Sequence, residues 1–142
     1  MIYFFNIFDA TIRMTATNTL LSIVELGGYP NFLPLYQTKG LKVERADSLR
    51  KAVKLLKTLK PKVIVAEFNF QTDFRDRSSN LETLMATVAT LPKTRVIVFF
   101  EQDQQPQLQC LQAIFKIFAT LAFPIDEQLL SRTLDSALEE AA

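Results

Sequence analysis

The sequence predicts an α/β domain in which helices cover both faces of a parallel sheet. After residue 17, short apolar runs rich in β-branched residues alternate with stretches whose apolar residues recur at helical spacing. The strands predicted at 62–68 and 95–100 contain the continuous apolar runs 63–66 and 96–100, which are typical of strands buried on both faces. Strands that alternate with helices form right-handed crossovers and a parallel sheet. Five such units predict a flavodoxin-like (βα)5 doubly wound sheet in three α/β/α layers, with strand order 2-1-3-4-5.

Turn and cap residues set the predicted bounds of the elements. Pro30 and Pro34 leave room only for a short, interrupted helix after the first strand. Asp47 or Ser48 caps the second helix and Asp126 caps the last one, because their side-chain oxygens accept hydrogen bonds from the first helical turn. The strands are predicted at 19–26, 41–46, 62–68, 95–100 and 118–123. The four longer helices are predicted at about 48–59, 79–91, 106–115 and 127–140.

Composition argues against most classes of enzyme. The chain of 142 residues has a formal net charge of +1 and contains no His, which is the commonest general base and metal ligand. The single cysteine, Cys110, excludes an intrachain disulfide and a cysteine-based zinc site, and three glycines leave no phosphate-binding Gly-rich loop. We therefore expect no catalytic residue, no metal and no cofactor. Cys110 is expected to be a small buried hydrophobe.

The chain is expected to have two parts, an N-terminal apolar extension over 1–17 and one domain over 18–142. The extension packs on the domain or on a second subunit, or Met14 is the true start and residues 1–13 are not translated. The apolar runs are much shorter than the about 20 residues that a membrane-spanning helix needs. The N-terminus has no basic region and no clear cleavage site. We therefore expect a cytoplasmic protein that does not enter a membrane.

Three segments resemble the receiver domain of response regulators. Residues 41–56 are similar to the second strand and second helix of that family, and 61–67 are similar to its third strand, which ends on the phospho-accepting Asp. Residues 122–130 resemble the Lys-Pro step that precedes the last helix of the family. The order and spacing of the segments extend the resemblance over about residues 18–140. The resemblance implies a signalling domain. In active members of the family, this domain is regulated by its own phosphorylation, which requires Mg²⁺.

The chain departs from the family at the positions that handle the phosphoryl group. Two acidic residues at the end of the first strand hold Mg²⁺ in active receivers, and here they are matched by Glu25 and Leu26. The phospho-accepting Asp is matched by Glu67, whose carboxylate lies one methylene further out. The Thr that senses the phosphoryl group and the Lys that pairs with it are matched by Phe100 and Phe123. These five residues form a degenerate phosphorylation pocket, which Phe100 and Phe123 are expected to close with apolar surface.

The substitutions predict a pseudo-receiver that is neither phosphorylated nor an enzyme and that acts by protein–protein contact. Phosphoryl transfer depends on positioning and charge neutralisation, which apolar residues do not supply. The alternative is a sensor of a small ligand or a divalent ion at the carboxyl edge of the sheet, near Glu25 and Glu67. Two further hypotheses are a residual phosphoacceptor at Glu67 and a Glu67 carboxylate that imitates phosphorylated Asp. Another flavodoxin-like domain, in which both acids end strands by chance, also fits the pattern.

A first partner-binding surface is predicted near the fourth helix and the fifth strand. In the family, the fourth helix, fifth strand and fifth helix mediate dimerisation and docking, so a homodimer or another protein partner is expected there. Phe115 and Phe118 lie in this region, and Thr120 matches the switch aromatic of the fifth strand. For each Phe taken alone, core packing is the favoured explanation.

A second surface is basic. The range 39–62 is rich in Lys and Arg, and only Glu44 and Asp47 in it are acidic. Arg50, Lys54 and Lys57 fall on one face of the second helix. They form either a docking face for an acidic partner or nucleic acid, or a solvated face opposite the apolar stripe. The lack of interleaved aromatic residues favours the solvated face and argues against a nucleic-acid partner.

Overall fold

Five parallel strands form a sheet in the part of the chain that the structure describes. The structure is a computed structural model, and it describes residues 18–25, 29–69 and 81–141. The strands are β1 (Thr19–Ile23), β2 (Lys42–Ala46), β3 (Val63–Glu67), β4 (Arg95–Phe100) and β5 (Ala119–Ala122). They pair in the order β2-β1-β3-β4-β5, and each neighbouring pair is parallel. The predicted flavodoxin-like order 2-1-3-4-5 is therefore confirmed.

Helices follow the strands in chain order, and a 3₁₀ turn (Gln102–Gln104) leads into the fourth. They are α1 (Leu33–Thr38), α2 (Leu49–Leu55), α3 (Glu82–Val88), α4 (Gln105–Ile114) and α5 (Glu127–Ala141). Several elements are shorter than predicted; α2, for example, ends at Leu55 because the next residues form hydrogen-bonded turns. In this part of the chain, none of the helices combines the length and apolar character that a membrane crossing requires. The predicted extension over 1–17 and the predicted helix start at 79–80 lie outside the described residues.

The sheet separates two hydrophobic cores. One core lies between the sheet and helices α2, α3 and α4, and it contains Ile23, Ala66 and Phe100. The other lies between the sheet and helices α1 and α5, and it contains Val65 and Phe99. Successive side chains of a strand point to opposite faces, so neighbours in sequence fall in different cores. The three predicted layers are confirmed, and Glu67 lies on the same face as Val65.

The predicted caps of α2 and α5 are confirmed. Ser48 Oγ accepts a hydrogen bond from the backbone N–H of Lys51 at 3.1 Å. Asp126 Oδ1 accepts from the backbone N–H groups of Gln128 and Leu129, at 2.9 and 3.3 Å. Both caps satisfy donors that a helix start leaves without partners.

Cys110 corrects one expectation from the sequence. It lies on α4 and is exposed, whereas the buried positions of that helix are Leu108 and Leu111. Leu108 lies two positions before Cys110 and Leu111 one position after it, and residues at these spacings point away from Cys110 on a helix. Cys110 therefore lies on the outer side of α4.

Candidate functional site

Most residues of the predicted pocket lie at the carboxyl edge of the sheet. Glu67 is the last residue of β3 and is 5% exposed. Glu25 lies two residues beyond the end of β1 and is exposed, while Leu26 lies outside the described residues. Phe100 ends β4, and Phe123 directly follows β5. The parallel sheet therefore brings the ends of β1, β3, β4 and β5 to one edge, as predicted.

Glu67 lines a small cavity on the sheet face that α1 and α5 cover. The cavity has a volume of about 170 Å³. Its wall includes Phe99, which is the register partner of Glu67 on β4. Residues of β1, β2, α1 and the preceding loop complete the wall, among them Ser22, Tyr29, Phe32, Tyr36 and Arg45. The candidate site is therefore a buried carboxyl group beside a small cavity that has aromatic rings in its wall.

Four rings form a contiguous group next to Glu67, which we call the aromatic cluster: Tyr29, Phe32, Phe99 and Phe123. The ring centroid of Phe99 lies 5.4 Å from that of Tyr29 and 5.9 Å from that of Phe32. Tyr29 also contacts Phe123, with centroids 5.5 Å apart and the rings at 79°. Tilted and edge-to-face arrangements of this kind are favourable. Phe123, at the position of the family's Lys, thus contributes a ring contact and no charge.

Phe100 does not line this cavity, in contrast to the expectation that it covers Glu67. It is buried in the core beneath α2, α3 and α4, because consecutive side chains of β4 point to opposite faces. Phe99 lies beside Glu67 instead, as its register partner on β4. Phe123 belongs to the aromatic cluster through its ring contact with Tyr29. The sequence held a signal for Phe99, since alternation places residues 97 and 99 on one face. Tyr29 and Phe32 lie in a loop without periodicity, and no sequence signal identified them.

Two tyrosines bring neutral phenol groups to the cavity. Burial, and then the carboxylates of Glu101 and Glu67, raise the pKa of Tyr29 to about 12. Burial also raises the pKa of Tyr36 above its ordinary value. Both phenols are therefore protonated at neutral pH and can donate hydrogen bonds.

The residues at this edge do not fit the magnesium site of a phosphorylated receiver. Mg²⁺ demands a near-ideal octahedron of oxygen ligands. Leu26, at the position of the second acidic ligand, has no side-chain oxygen. Glu25 is exposed, while Glu67 is buried beside the aromatic cluster. Over 18–25, 29–69 and 81–141, no group of three or more His, Cys, Asp and Glu side chains could hold a metal ion.

The predicted basic residues form one surface on α2 and the turn that follows it. Arg50, Lys54 and Lys57 are all exposed, and with Lys51 and Val53 they line a shallow depression. Lys51 Nζ also lies 2.9 Å from Asp47 Oδ1. Exposure and proximity are compatible with both interpretations of this surface, a docking face and a solvated helix face.

The predicted residues near α4 and β5 are half-buried. Phe115 packs against the core of α2, α3 and α4, and Phe118 packs against the core of α1 and α5, while Thr120 lies on β5. Both Phe residues line a cavity of about 280 Å³ together with Ile114. Sequence reasoning missed Ile114, which is 68% exposed. Among the described residues, four large hydrophobics are exposed, and three of them belong to α4, the end of β5 and α5: Ile114, Phe123 and Leu129.

The strand order and the placement of helices define a response-regulator receiver fold, and solved receiver domains share it. The receiver domain of a modulated diguanylate cyclase from Desulfovibrio desulfuricans is 17% identical, with a TM-score of 0.68, covering 88% of this chain and 96% of that one. A response regulator receiver domain protein from Clostridium thermocellum is 19% identical, with a TM-score of 0.62, covering 85% and 94%. A chemotaxis protein from Vibrio cholerae is 17% identical, with a TM-score of 0.62, covering 89% and 100%. No protein-family model and no curated protein matches the sequence.

Proposed function

We propose that the protein is a receiver-like regulatory module that is not phosphorylated, has no catalytic activity and acts by contact with a protein partner. The observation that carries this proposal is the burial of Glu67 beside the aromatic cluster. The positions that supply a metal ligand, a Thr and a Lys in active receivers carry Leu26, Phe100 and Phe123. We assign the module to the cytoplasm, where an exposed free thiol such as Cys110 stays reduced.

The chemistry of phosphoryl transfer supports this proposal. A phosphoryl donor carries several negative charges, and catalysis consists of positioning it and neutralising those charges. Next to Glu67 the donor would meet the aromatic rings of the cavity wall. The negative faces of those rings repel an anion, and Phe123 supplies no positive charge. The rings beside Glu67 and the apolar residues at positions 26, 100 and 123 therefore disfavour phosphoryl transfer, and Arg45, which also lines the cavity, lies two strands away from Glu67.

Incubation with acetyl phosphate and Mg²⁺, followed by intact mass spectrometry, tests this part of the proposal. We expect no mass increase corresponding to a phosphoryl group. A receiver domain with its acidic pocket complete, treated in parallel, is the control and is expected to be labelled. A stable phosphoryl adduct on Glu67 would overturn the proposal.

The proposed partner surface is the one formed by α4, β5 and α5, which we call the α4–β5–α5 surface. Each of these elements, or its end, carries an exposed apolar side chain, namely Ile114, Phe123 and Leu129, and Phe115 and Phe118 line a cavity together with Ile114 and residues of α3. Exposed apolar surface rimmed by polar residues is typical of protein interfaces. A second copy of the chain is the first partner to test, and Thr120 lies within this surface. Arg50, Lys54 and Lys57 form a separate proposed contact for an acidic segment.

A second candidate function is the binding of a small ligand at the carboxyl edge, and the cavity beside Glu67 favours it. The form of this alternative that involves a divalent ion is disfavoured, because Glu25 is exposed and Glu67 is buried among rings. An organic ligand suits an aromatic wall better than a hydrated metal ion does.

A further inference from the structure

The cavity beside Glu67 follows from the shortness of α1. Pro34 lies in the first turn of α1, and the helix ends at Thr38 after six residues. Its buried Tyr36 packs on the sheet, but the described residues leave the carboxyl ends of β1 and β2 on this face partly uncovered. Ser22 is half-buried and Arg45 is exposed. The cavity therefore opens at the carboxyl ends of parallel strands, where doubly wound sheets bind their ligands.

One side of the cavity suits a positively charged group. The Glu67 side chain lines it and is almost fully buried, and the rings of Tyr29, Phe32 and Phe99 line it as well. Aromatic faces attract cations, and the attraction grows when water is excluded. A carboxylate strengthens it by a charge-assisted hydrogen bond to an ammonium group. Carboxylate and rings together recognise an ammonium ion of organic character.

The opposite side carries a positive charge. Arg45 of β2 is in register with Ser22 of β1, which is in register with Val65 of β3. Glu67 lies two residues further along β3, on the same face. With strands about 4.8 Å apart and a rise of about 3.3 Å per residue, the Cα atoms of Arg45 and Glu67 are about 12 Å apart. Both side chains line one cavity, so a ligand between them meets opposite charges at its two ends.

The volume limits the size of the ligand. An engineered cavity of roughly 150 Å³ in another protein holds one benzene molecule. The cavity of about 170 Å³ therefore encloses a group of about that size or slightly larger. A simple anion would match Arg45 but not the carboxylate and the rings.

The geometry points to a binding site for a small zwitterion of the amino-acid class. Its ammonium group contacts Glu67 and the rings of Tyr29, Phe32 and Phe99, and its carboxylate faces Arg45. This inference rests on the second candidate function, ligand binding at the carboxyl edge, and names its ligand class; it does not depend on the docking function.

Tyrosine fluorescence reports on this site. The chain has no Trp and three Tyr, of which Tyr29 and Tyr36 line the cavity. The probes are γ-aminobutyrate, which carries both charges, butylammonium, which carries only the positive one, and butyrate, which carries only the negative one. We expect a saturable change with γ-aminobutyrate at a Kd of about 1 mM, as befits so small a ligand. Butylammonium should bind several-fold more weakly, and butyrate should produce no saturable change.

Two variants test the contacts to the ammonium group and to the carboxylate of the ligand separately. Glu67→Gln should weaken γ-aminobutyrate binding about ten-fold or more, because the carboxyl group that receives the ammonium group is lost. Its control is Glu101→Gln, which removes a carboxylate that also acts on Tyr29 but does not line the cavity. Arg45→Gln should lower the affinity for γ-aminobutyrate to that for butylammonium and leave butylammonium binding unchanged. Its control is Arg50→Gln, on the exposed face of α2.

Urea unfolding of each variant checks that it folds. If Glu67→Gln does not fold, Ser22→Leu, which fills the cavity from a half-buried position, takes its place and should abolish binding. The proposal is overturned by the absence of a saturable response to γ-aminobutyrate or by an equal response to butyrate. It is also overturned by an unchanged affinity in the folded Glu67→Gln or Ser22→Leu variant.

Discussion

Phe99 holds the candidate site together, because its ring contacts both Tyr29 and Phe32 and it is the register partner of Glu67. It is 4% exposed. Phe99→Ala should lower the free energy of unfolding by about 3–5 kcal/mol, since a buried ring is lost and a void remains. Phe123→Ala is the matched control. It removes a ring that is 39% exposed and contacts only Tyr29 among the rings of the cluster, so a loss of about 1 kcal/mol is expected.

Urea unfolding curves measure both losses. Equal losses for the two variants would contradict the assignment of Phe99 as the buried centre of the aromatic cluster.

Tyr29 gives the folded protein a dependence on alkaline pH. Its pKa of about 12 lies above the ordinary value of 10.0, so the unfolded state releases the phenolic proton first as the pH rises. The stabilisation is complete below pH 10.0 and is lost as the pH rises through about 12. Stability of the wild type should therefore fall more steeply over this window than that of Tyr29→Phe. Tyr36→Phe should also flatten the decline, because burial raises the pKa of Tyr36 as well. Urea unfolding at a series of pH values measures the slopes, and identical slopes for wild type and Tyr29→Phe would refute the assignment.

Individual site residues could be predicted only where position along a strand decided their place. Glu67 falls at the carboxyl edge because it ends a continuous apolar run, and that placement followed from the sequence. Phe100 was expected to help close the pocket at Glu67, but the alternation of β4 places Phe99 on that face and Phe100 on the other. Tyr29 and Phe32 could not be predicted, because the path of a loop depends on tertiary contacts and not on a local repeat.

The N-cap of α5 provides a test of what stabilises this helix, which is part of the proposed partner surface. Asp126 accepts two backbone hydrogen bonds at the start of α5. Asp126→Ala should lower the free energy of unfolding by about 1 kcal/mol, because two N–H groups lose their acceptor. Asp126→Asn, which retains the acceptor oxygen, should cost much less. Thermal or urea unfolding distinguishes the two, and equal effects would show that the cap does not stabilise α5.

Whole elements were more predictable than their interfaces. The predicted bounds of β4 agree with the structure, since an unbroken apolar run is set off by polar residues on either side. The shortness of α1 was also predicted from Pro30 and Pro34, but the cavity it leaves was not. The prediction that Cys110 is buried was wrong, because the residue type of one position does not show which face of α4 is buried.

The complete molecule should associate with itself through the α4–β5–α5 surface. Wild-type protein is expected to sediment as a concentration-dependent dimer, and Ile114→Glu should shift it towards monomer, because a charge replaces an exposed apolar contact. Leu33→Glu changes an exposed Leu of α1, away from this surface, and is the control. Sedimentation velocity measures both. A strictly monomeric wild type, or equal dissociation by both variants, would contradict the homodimer.

Phosphorylation of one further variant decides whether this receiver fold serves recognition or phosphotransfer. Glu67→Asp restores the acceptor of active receivers but leaves Phe123, the aromatic cluster and the apolar residue at position 26 in place. After acetyl phosphate and Mg²⁺, intact mass spectrometry should find this variant unlabelled, like the wild type, because charge neutralisation is still missing. A phosphoryl adduct on the new carboxylate would show that the pocket retains its chemistry and that one methylene alone had silenced it.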